Sequence, residues 1–295
     1  MLNNFNDLRN LVSSNDIKTV AVCCGHDLHT LEAILKAKQE GIINAIIIGH
    51  KDEIIKIVND LNYEINEDNI IDCDNDEDAA RIACDLINNH KADFISKGLM
   101  QTSTLLKAVV NKETGISLGK IMSHTALLEI PGYHKLLGIT DGGMIPNPDL
   151  EMKKAIVFNA IDLFHKLGYE KPLVSAICSA ETVSPKIIET VDAAALKELK
   201  SDDYYIEGPI SFDLAMDLDS AKIKGYDSIV SGNSDILLVP NMTSANMCVK
   251  ALIQFSSAKM AGVVLGSKCP IALNSRSASF IEKYNSLLLC AAICD

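Results

Sequence analysis

Tryptophan is absent from this chain of 295 residues, and the aromatic residues Phe and Tyr together make up only 5% of it. Ile, Leu, Val and Ala must therefore fill the core, which is typical of layered α/β proteins. No run of about 18 apolar residues occurs, which argues against a membrane-spanning helix. The opening segment MLNNFNDLRN has no basic region followed by an apolar stretch, so we expect no export signal.

Basic residues are also scarce, because 27 Lys and Arg stand against 39 Asp and Glu, and the formal net charge is −12. A surface of this sign repels a phosphodiester backbone, so nucleic acid is not expected as a partner. A membrane is not expected either, because the chain has no long apolar run. An anionic small molecule remains compatible with the composition, because a few cations held together control the local potential.

Nine cysteines are scattered through the chain, mostly inside apolar runs. An odd number without regular spacing predicts reduced thiols in a core and hence a cytoplasmic location.

Short β-rich apolar runs alternate with stretches of helical period, beginning with a strand at 19–24 and a helix at 28–39. This alternation predicts α/β domains with mostly parallel sheets covered by helices on both faces. The chain is longer than one average domain, and the segment 130–148, rich in Gly and Pro, is where we place the domain change. Ser184 before Pro185 predicts the start of a helix over 185–199.

The last segment predicts a strand at 271–274 and a helix at 277–294, with Ser275 and Arg276 in the turn between them. Free amides at a helix start, two hydroxyls and a guanidinium suit an anion such as phosphate. An Arg beside a helix cap is also a common surface feature, and the turn alone does not decide between the two.

A second cationic turn follows the predicted strand at 94–96. It contains Lys97 and Gly98, and the next helix carries Thr102, Thr104 and Lys107. Such strand ends line the ligand crevice of parallel α/β sheets, so both lysines are candidates for binding phosphate groups. Solvated lysines beside capping threonines are the alternative.

Two further polar clusters occupy positions where strands are expected to end. His124 belongs to the first, and Asn241 and Asn246 belong to the second. Imidazole and amide groups can donate to a carbonyl oxygen as charge develops on it, as acyl transfer requires. Singly, each is also an ordinary turn residue.

Several motifs are missing. Gly-x-Gly-x-x-Gly, Gly-x-x-x-x-Gly-Lys-Ser/Thr and Gly-x-Ser-x-Gly do not occur, which argues against a dinucleotide loop, a P-loop and a nucleophile elbow. His26 and His29 could pair on a metal, but no third ligand lies near them in the sequence, so we expect no metal.

Six segments, taken in their order along the chain, together resemble the phosphate acetyltransferase and phosphate butyryltransferase family. The resemblance covers nearly the whole chain. The Lys-Gly of SKGL, the Met-Ser-His and the Gly-Pro of GPISFD resemble the butyryl branch more than the acetyl branch. The segments are AVCCGHDLHTLEAILKAKQEGI, ADFISKGLMQTSTLLKAVVN, MSHTALLEIPGYHKLLGITDGG, GPISFDLAMD, SDILLVPNMTSAN and CPIALNSRSASFIEKYNSL.

The resemblance implies two three-layer αβα domains of the isocitrate and isopropylmalate dehydrogenase type, with an interdomain cleft and a homodimer or higher homo-oligomer. On that template the first domain contains residues 1–132 and 266–295 and carries the Ser-Arg anion site, and the second contains residues 133–265. Coenzyme A is implied as a substrate, with no permanently bound cofactor.

The resemblance also implies roles for single residues. Ser275 and Arg276 match the family's Ser-Arg pair at the CoA and phosphate site, and Lys107 stands where acetyl-branch relatives carry Arg. Glu282 lies near the position of an Asp proposed as base in the acetyl branch. Asn246 matches the last residue of an Asn-x-Gly-Asn loop, although Ser-Ala-Asn stands here, and residues 277–278 depart from the butyryl pattern Ala-Asp.

We therefore expect Arg276, Ser275, Glu282 and Asn246 to be catalytic in a direct transfer of a short, butyryl-like acyl group between CoA and phosphate. The expected substrate-binding residues are Lys97, Gly98, Thr102, Thr104, Lys107, His124 and Asn241. The alternatives are a phosphate acetyltransferase of the same family, a related dehydrogenase that uses a metal and NAD on a hydroxyacid, and a CoA-binding protein without turnover.

Overall fold

The computed structural model describes residues 2–294. Strands and helices alternate along most of the chain, as the sequence pattern predicts. In chain order the elements are α1 (Phe5–Ser13), β1 (Lys18–Cys23), α2 (Leu28–Gln39), β2 (Ile43–Gly49), α3 (Lys51–Asp60), β3 (Ile70–Asp72), α4 (Asp76–Asn88), β4 (Phe94–Lys97), α5 (Thr102–Val109), β5 (Ser123–Glu129), β6 (Leu137–Thr140), α6 (Leu150–Lys166), β7 (Leu173–Ile177), α7 (Ile188–Lys197), β8 (Tyr205–Ile210), α8 (Phe212–Met216), α9 (Leu218–Lys224), β9 (Ile236–Leu238), α10 (Met242–Ser256), β10 (Lys259–Leu265), β11 (Ile271–Ala272) and α11 (Phe280–Ile293).

The described chain forms two compact units. The first unit contains residues 5–120 and 260–294, and the second contains residues 2–4 and 121–259. The domain limits expected from the sequence, at 132/133 and 265/266, differ from these limits and stay a prediction.

The first unit has the strand order β3-β2-β1-β4-β11-β10. All neighbouring pairs are parallel except β11 with β10. Parallel strands end at the same edge of a sheet, so the segments that follow β1, β2, β3, β4 and β11 gather there. This edge carries the Lys97 turn and the Ser275–Arg276 turn.

The second unit has the strand order β5-β6-β9-β7-β8, which is parallel apart from the antiparallel pair β5 and β6. Because β5 runs in the opposite direction, its first residues lie at the edge where β6 and β9 end. Thr125 of β5 pairs with Thr140, and Thr140 pairs with Leu238. The α/β class with mostly parallel strands is confirmed in both units.

Aliphatic side chains fill the interior of each unit, as the shortage of aromatic residues predicts. Val22, Ile47 and Ile95 are fully buried in the first unit, and Leu127 and Leu237 are fully buried in the second. Each such side chain contributes about 1.5–3 kcal/mol relative to leaving it exposed. No helix within residues 2–294 combines the length and the hydrophobicity needed to cross a membrane.

Two predicted helix starts are wrong by a few residues. α7 begins at Ile188 rather than at Pro185, because Ser184 closes a turn: its carbonyl accepts from the amide of Ile187 and its amide donates to Thr190 Oγ1. α11 begins at Phe280 rather than at Ser277, since Ser279 is its N-cap.

Candidate functional site

The turn that carries Ser275 and Arg276 is tied to α11 by the residue before it. Asn274 is buried; its Nδ2 donates to the carbonyl of Glu282 at 3.1 Å and its Oδ1 accepts from Ser286 Oγ at 3.0 Å. Ser275 and Arg276 therefore precede the helix cap instead of forming it, and the amide of Ala278 donates to the Ser275 carbonyl at 3.0 Å. The turn is fixed at its base, and its two polar side chains are exposed.

Arg276 is the exposed cation of this turn. Within residues 2–294 its guanidinium makes no ion pair, unlike Arg9 with Glu40 and Arg81 with Asp78 and Asp85. A guanidinium that keeps its five donors unused is suited to a planar or tetrahedral oxyanion.

Lys97 is the second cation at this edge. It ends β4, is only 4% exposed, and its Nζ donates to the carbonyls of Gly98 and Met100 at 3.0 and 3.1 Å. The pKa of Lys97 is lowered to about 8, mainly by burial and then by the nearby charge of Lys283, with Asp27 opposing the shift and Arg276 adding to it. A group whose charged form is disfavoured in this way is typical of a site that receives an anion.

Lys283 is the third cation, and sequence reasoning did not identify it. It lies on the buried face of α11, with its Nζ 2.6 Å from Thr30 Oγ1 and 3.3 Å from Asp27 Oδ1. Asp27 in turn caps α2 by accepting from the amide of Thr30 at 3.0 Å. Three cations, Lys97, Lys283 and Arg276, are thus grouped in a protein that is acidic as a whole, because the charge of Lys97 interacts with those of Lys283 and Arg276 and with the Asp27 carboxylate. We call these three residues the cation cluster.

Gly98 is required for packing. A Cβ at this residue would lie 2.2 Å from the Cys24 carbonyl oxygen, and the Gly98 amide donates to the Cys23 carbonyl at 2.8 Å. The close contact between the ends of β4 and β1 therefore explains the glycine, and its predicted role in substrate binding stays a prediction.

The predicted binding residues of α5 lie on its first and last turns. Thr102 is the first residue of the helix and is half-buried, as is Thr104, while Lys107 is exposed in the last turn. Their predicted contacts with phosphate groups stay predictions.

Glu282 has a structural role in addition to the catalytic one expected for it. Its Oε2 accepts from the amide of Ser279 at 2.7 Å and from Ser279 Oγ at 2.8 Å, and Ser279 Oγ accepts from the amide of Glu282, which completes a capping box. Its other oxygen, Oε1, has no hydrogen-bond donor among residues 2–294 and so remains available to accept a proton.

In the second unit, Asp141 organises the segment around His124. One Asp141 oxygen accepts from the amides of His124, Gly143 and Met144 at 2.9–3.2 Å, and the other accepts from the amide of Ile145 at 2.9 Å. Four donors on one buried carboxylate fix the loop after β6. His124, only 7% exposed, lies in β5 beside this loop and not in a turn of its own.

The two candidate asparagines, Asn241 and Asn246, lie at different places in and before α10. Asn241 is its N-cap, with Oδ1 accepting from the amide and the hydroxyl of Ser244 at 3.0 and 3.1 Å. Asn246 is exposed one turn later, and its Nδ2 donates to the carbonyl of Gly142 at 3.4 Å, while the amide of Gly142 donates to the His124 carbonyl. The fold therefore brings Asn246 and His124 to the same loop, and their predicted roles toward substrate stay predictions.

Cysteine is unsuited to act as a nucleophile beside the cation cluster. Cys23 ends β1 and Cys24 follows it, close to Lys97, but burial raises the pKa of both thiols well above the ordinary value. Cys24 Sγ also donates to Asp76 Oδ1 at 3.2 Å, which raises its pKa further. Both groups are therefore neutral thiols at physiological pH, and thiolate chemistry on the protein is disfavoured.

The fold and the candidate site define an α/β protein with mostly parallel strands and a cation cluster at the strand ends of its first unit. The family model described as phosphate acetyl/butaryl transferase matches residues 74–291. The chain is 36% identical to the phosphate butyryltransferase of Clostridium acetobutylicum, covering 99% of both chains. It is 33% identical to the phosphate acetyltransferase of Thermotoga maritima, covering 93% of this chain and 94% of that one.

A solved structure agrees with the sequence relatives. The branched-chain phosphotransacylase from Enterococcus faecalis V583 superposes with a TM-score of 0.82 at 29% identity, over 94% of this chain and 98% of that one. The chain belongs to the phosphate acetyl/butyryl transferase family, a family of acyltransferases that use CoA as a substrate. The class predicted from the sequence is confirmed, and the dehydrogenase alternative is not the family of this chain.

Proposed function

We propose that this protein transfers a short acyl group of the butyryl type between CoA and inorganic phosphate. The cation cluster is the observation that carries the proposal, because acyl phosphate, phosphate and CoA are all anions. One carboxylate, Asp27, stands against three cations, so positive charge remains in excess and favours a bound anion. The similarity to a phosphate butyryltransferase over the full chain supports the butyryl type, and the similarity to a phosphate acetyltransferase makes acetyl the competing substrate.

The transfer we propose is direct and takes place in a ternary complex. The CoA sulfur attacks the carbonyl carbon of the acyl phosphate, the bond between that carbon and the bridging oxygen breaks, and phosphate leaves with the electron pair. The thiol proton passes to a carboxylate, for which Glu282 Oε1 is the candidate. Arg276 holds the phosphate oxygens, and Ser275 and Asn246 are the proposed neutral donors.

Two observations favour direct transfer over an acyl-enzyme. The cysteines nearest the cation cluster are neutral thiols, as described above. The family has CoA itself as the thiol that accepts the acyl group, so no second thiol is required. The remaining architectural expectations, a dehydrogenase-like arrangement of two domains and a homodimer or higher homo-oligomer, are part of the proposal.

Thiol release measured with acyl-CoA of different chain length and with phosphate as co-substrate tests the proposal. We expect butyryl-CoA or a branched homologue to give the highest kcat/KM, with acetyl-CoA lower by roughly 10-fold or more, since one methylene contributes about 1–3 kcal/mol in an apolar pocket. Intersecting initial-velocity lines are expected for a ternary complex. Parallel lines would contradict direct transfer, and a preference for acetyl-CoA would contradict the butyryl assignment.

A further inference from the structure

A group of three potential metal ligands lies in the first unit, on segments that follow β1 and β2. His26 comes three residues after β1, His50 comes directly after β2, and Glu53 lies in the first turn of α3. One ligand atom from each of these residues lies within 4.8 Å of the others. β1 and β2 are parallel neighbours, with Cys23 paired to Ile48, so the sheet itself brings the two histidines together.

The three side chains are already ordered relative to one another. The imidazole rings of His26 and His50 stack with their centroids 4.4 Å apart and an interplanar angle of 1°. His50 Nδ1 lies 3.1 Å from Glu53 Oε1. This contact holds the Glu53 carboxylate beside the His50 ring.

His26 supplies a second and independent observation. Its Nδ1 is buried and has no hydrogen-bond partner among residues 2–294. A Cβ on Gly49 would lie 2.7 Å from this atom, so only glycine at the end of β2 lets the ring occupy its place. Leaving a buried polar atom unsatisfied costs roughly 1–3 kcal/mol, and a bound cation would satisfy it.

We propose that His26, His50 and Glu53 bind a divalent transition-metal cation of the zinc or cobalt class. Two imidazoles and one carboxylate are a donor set that such cations prefer, and three protein ligands leave a position for water. Zinc–nitrogen bonds of about 2.0–2.1 Å place tetrahedral donors about 3.4 Å apart, so ligand atoms that lie up to 4.8 Å apart must approach by as much as roughly 1.4 Å. Binding requires His50 to turn out of its stack with His26, because the nitrogen lone pairs lie in the ring planes, and Glu53 is exposed and can follow it.

This site differs from the histidine pair considered in the sequence. His29, the second histidine of that pair, is exposed on the first turn of α2 and is not a member of the group. The ligands that accompany His26 come instead from the next strand in the sheet, about 25 residues away in sequence, which a search for close spacing cannot find.

Metal binding would fix the segment beside the cation cluster. His26 is followed directly by Asp27, whose Oδ1 lies 3.3 Å from Lys283 Nζ. A cation held by His26, His50 and Glu53 would join this segment to the start of α3. The inference does not depend on the proposed acyl transfer, because its ligands and its tests are separate.

Titration of the chelator-treated full chain with ZnCl₂ and CoCl₂, followed by calorimetry and by visible absorption, tests the site. We expect one equivalent of tight binding, a rise in melting temperature because the cation binds the native state, and cobalt d–d bands without a thiolate-to-cobalt charge-transfer band. His50→Ala should weaken binding at least 10-fold, the lower end of what even outer-shell changes cause. Glu53→Gln should do the same, and His29→Ala should bind as the unchanged protein does.

The proposal would be overturned if His50→Ala and Glu53→Gln bound the metal ion with the same affinity as the unchanged protein. That result would indicate an adventitious ion only. A thiolate charge-transfer band would also overturn it, because the cation would then be bound by cysteine. If His50→Ala does not fold, Glu53→Gln decides the outcome, since Glu53 is an exposed residue whose replacement removes no core packing.

Discussion

At the scale of single residues, Lys97 is a buried amine whose charge is costly to keep in the folded state. Its pKa is about 8, whereas an unfolded lysine titrates at about 10.5. Between these values the unfolded chain holds a proton that the folded chain has lost, so the free energy of unfolding rises with pH.

Replacing Lys97 by Met removes this dependence. We expect the difference in free energy of unfolding, unchanged protein minus Lys97→Met, to increase by roughly 2–3 kcal/mol between pH 8 and 10.5, since one proton contributes at most about 1.4 kcal/mol per pH unit. Denaturant titrations at several pH values measure it, with Lys107→Met as the control for losing an exposed lysine. A difference that stays constant over this range would contradict a lowered pKa.

Glu282 is a residue whose structural and chemical roles can be separated by the choice of substitution. Gln preserves the acceptor of a capping box but cannot take a proton at neutral pH. If Glu282 is the base, Glu282→Gln should keep the melting temperature within a few degrees and lower kcat by about 10²–10⁴, the usual contribution of general base catalysis.

The companion variant Glu282→Ala should lower both stability and kcat, because it removes the capping acceptor as well as the base. Turnover of Glu282→Gln close to that of the unchanged protein would assign the residue to the cap alone.

Residue identities at the site were only partly predictable from the sequence. Arg276 and Lys97 could be found because each lies near the end of a strand, next to recognisable turn residues. Lys283 could not, since it occurs inside a helical pattern as one more lysine, and only the packing of α11 against α2 buries it beside Asp27 and Thr30. The structural role of Glu282 was missed because the predicted start of α11 lay three residues too early.

At the scale of the elements, the loop after β6 depends on one carboxylate. Asp141 accepts four backbone hydrogen bonds, and only the carboxylate form offers acceptors on both oxygens. An amide at this place turns one acceptor into a donor that faces backbone N–H groups.

We therefore expect Asp141→Asn to lower the free energy of unfolding by about 1–3 kcal/mol, the cost of unsatisfied buried donors. Asp227→Asn is the matched control, because Asp227 is exposed in the same unit, and it should change stability by less than about 0.5 kcal/mol. Chemical denaturation measures both. Equal stability of the two variants would show that the loop does not depend on the Asp141 carboxylate.

Strands were predicted from the sequence more completely than their directions were. β1, β2 and β4 coincide with continuous apolar runs that are followed by turn residues, so their places could be predicted. β5 could not, because Ser123, His124 and Thr125 read as a polar turn, although all three are buried in a strand. Only the antiparallel pairing of β5 with β6 places His124 at the edge where Asn241 and Asn246 lie.

At the scale of the whole molecule, a chain with a net charge of −12 can bind an anion only where several cations lie close together. The composition predicted that such cations must be few, and the three residues of the cation cluster agree with that expectation. Composition could not predict which lysines they are, since the grouping results from the order of β1, β4 and β11 in one sheet.

Ligand-dependent melting distinguishes the proposed function from that of a nicotinamide enzyme. CoA at 100 times its dissociation constant should stabilise the protein by about 2.7 kcal/mol and raise the melting temperature, because it binds only the native state. NAD at the same concentration should leave the melting temperature unchanged. A shift with NAD equal to the shift with CoA would contradict the proposal.

The Arg276 guanidinium is proposed to hold the phosphate during acyl transfer, and thiol release from butyryl-CoA plus phosphate tests this role most directly. Arg276→Ala should lower turnover by at least about 10²–10³, as losing a donor to developing charge typically does. Arg276→Lys should recover only part of it, because a point charge cannot replace a planar fork. Arg81→Ala, the control at an exposed arginine of α4, should be as active as the unchanged protein. Turnover of a folded Arg276→Ala near that of the unchanged protein would contradict the account.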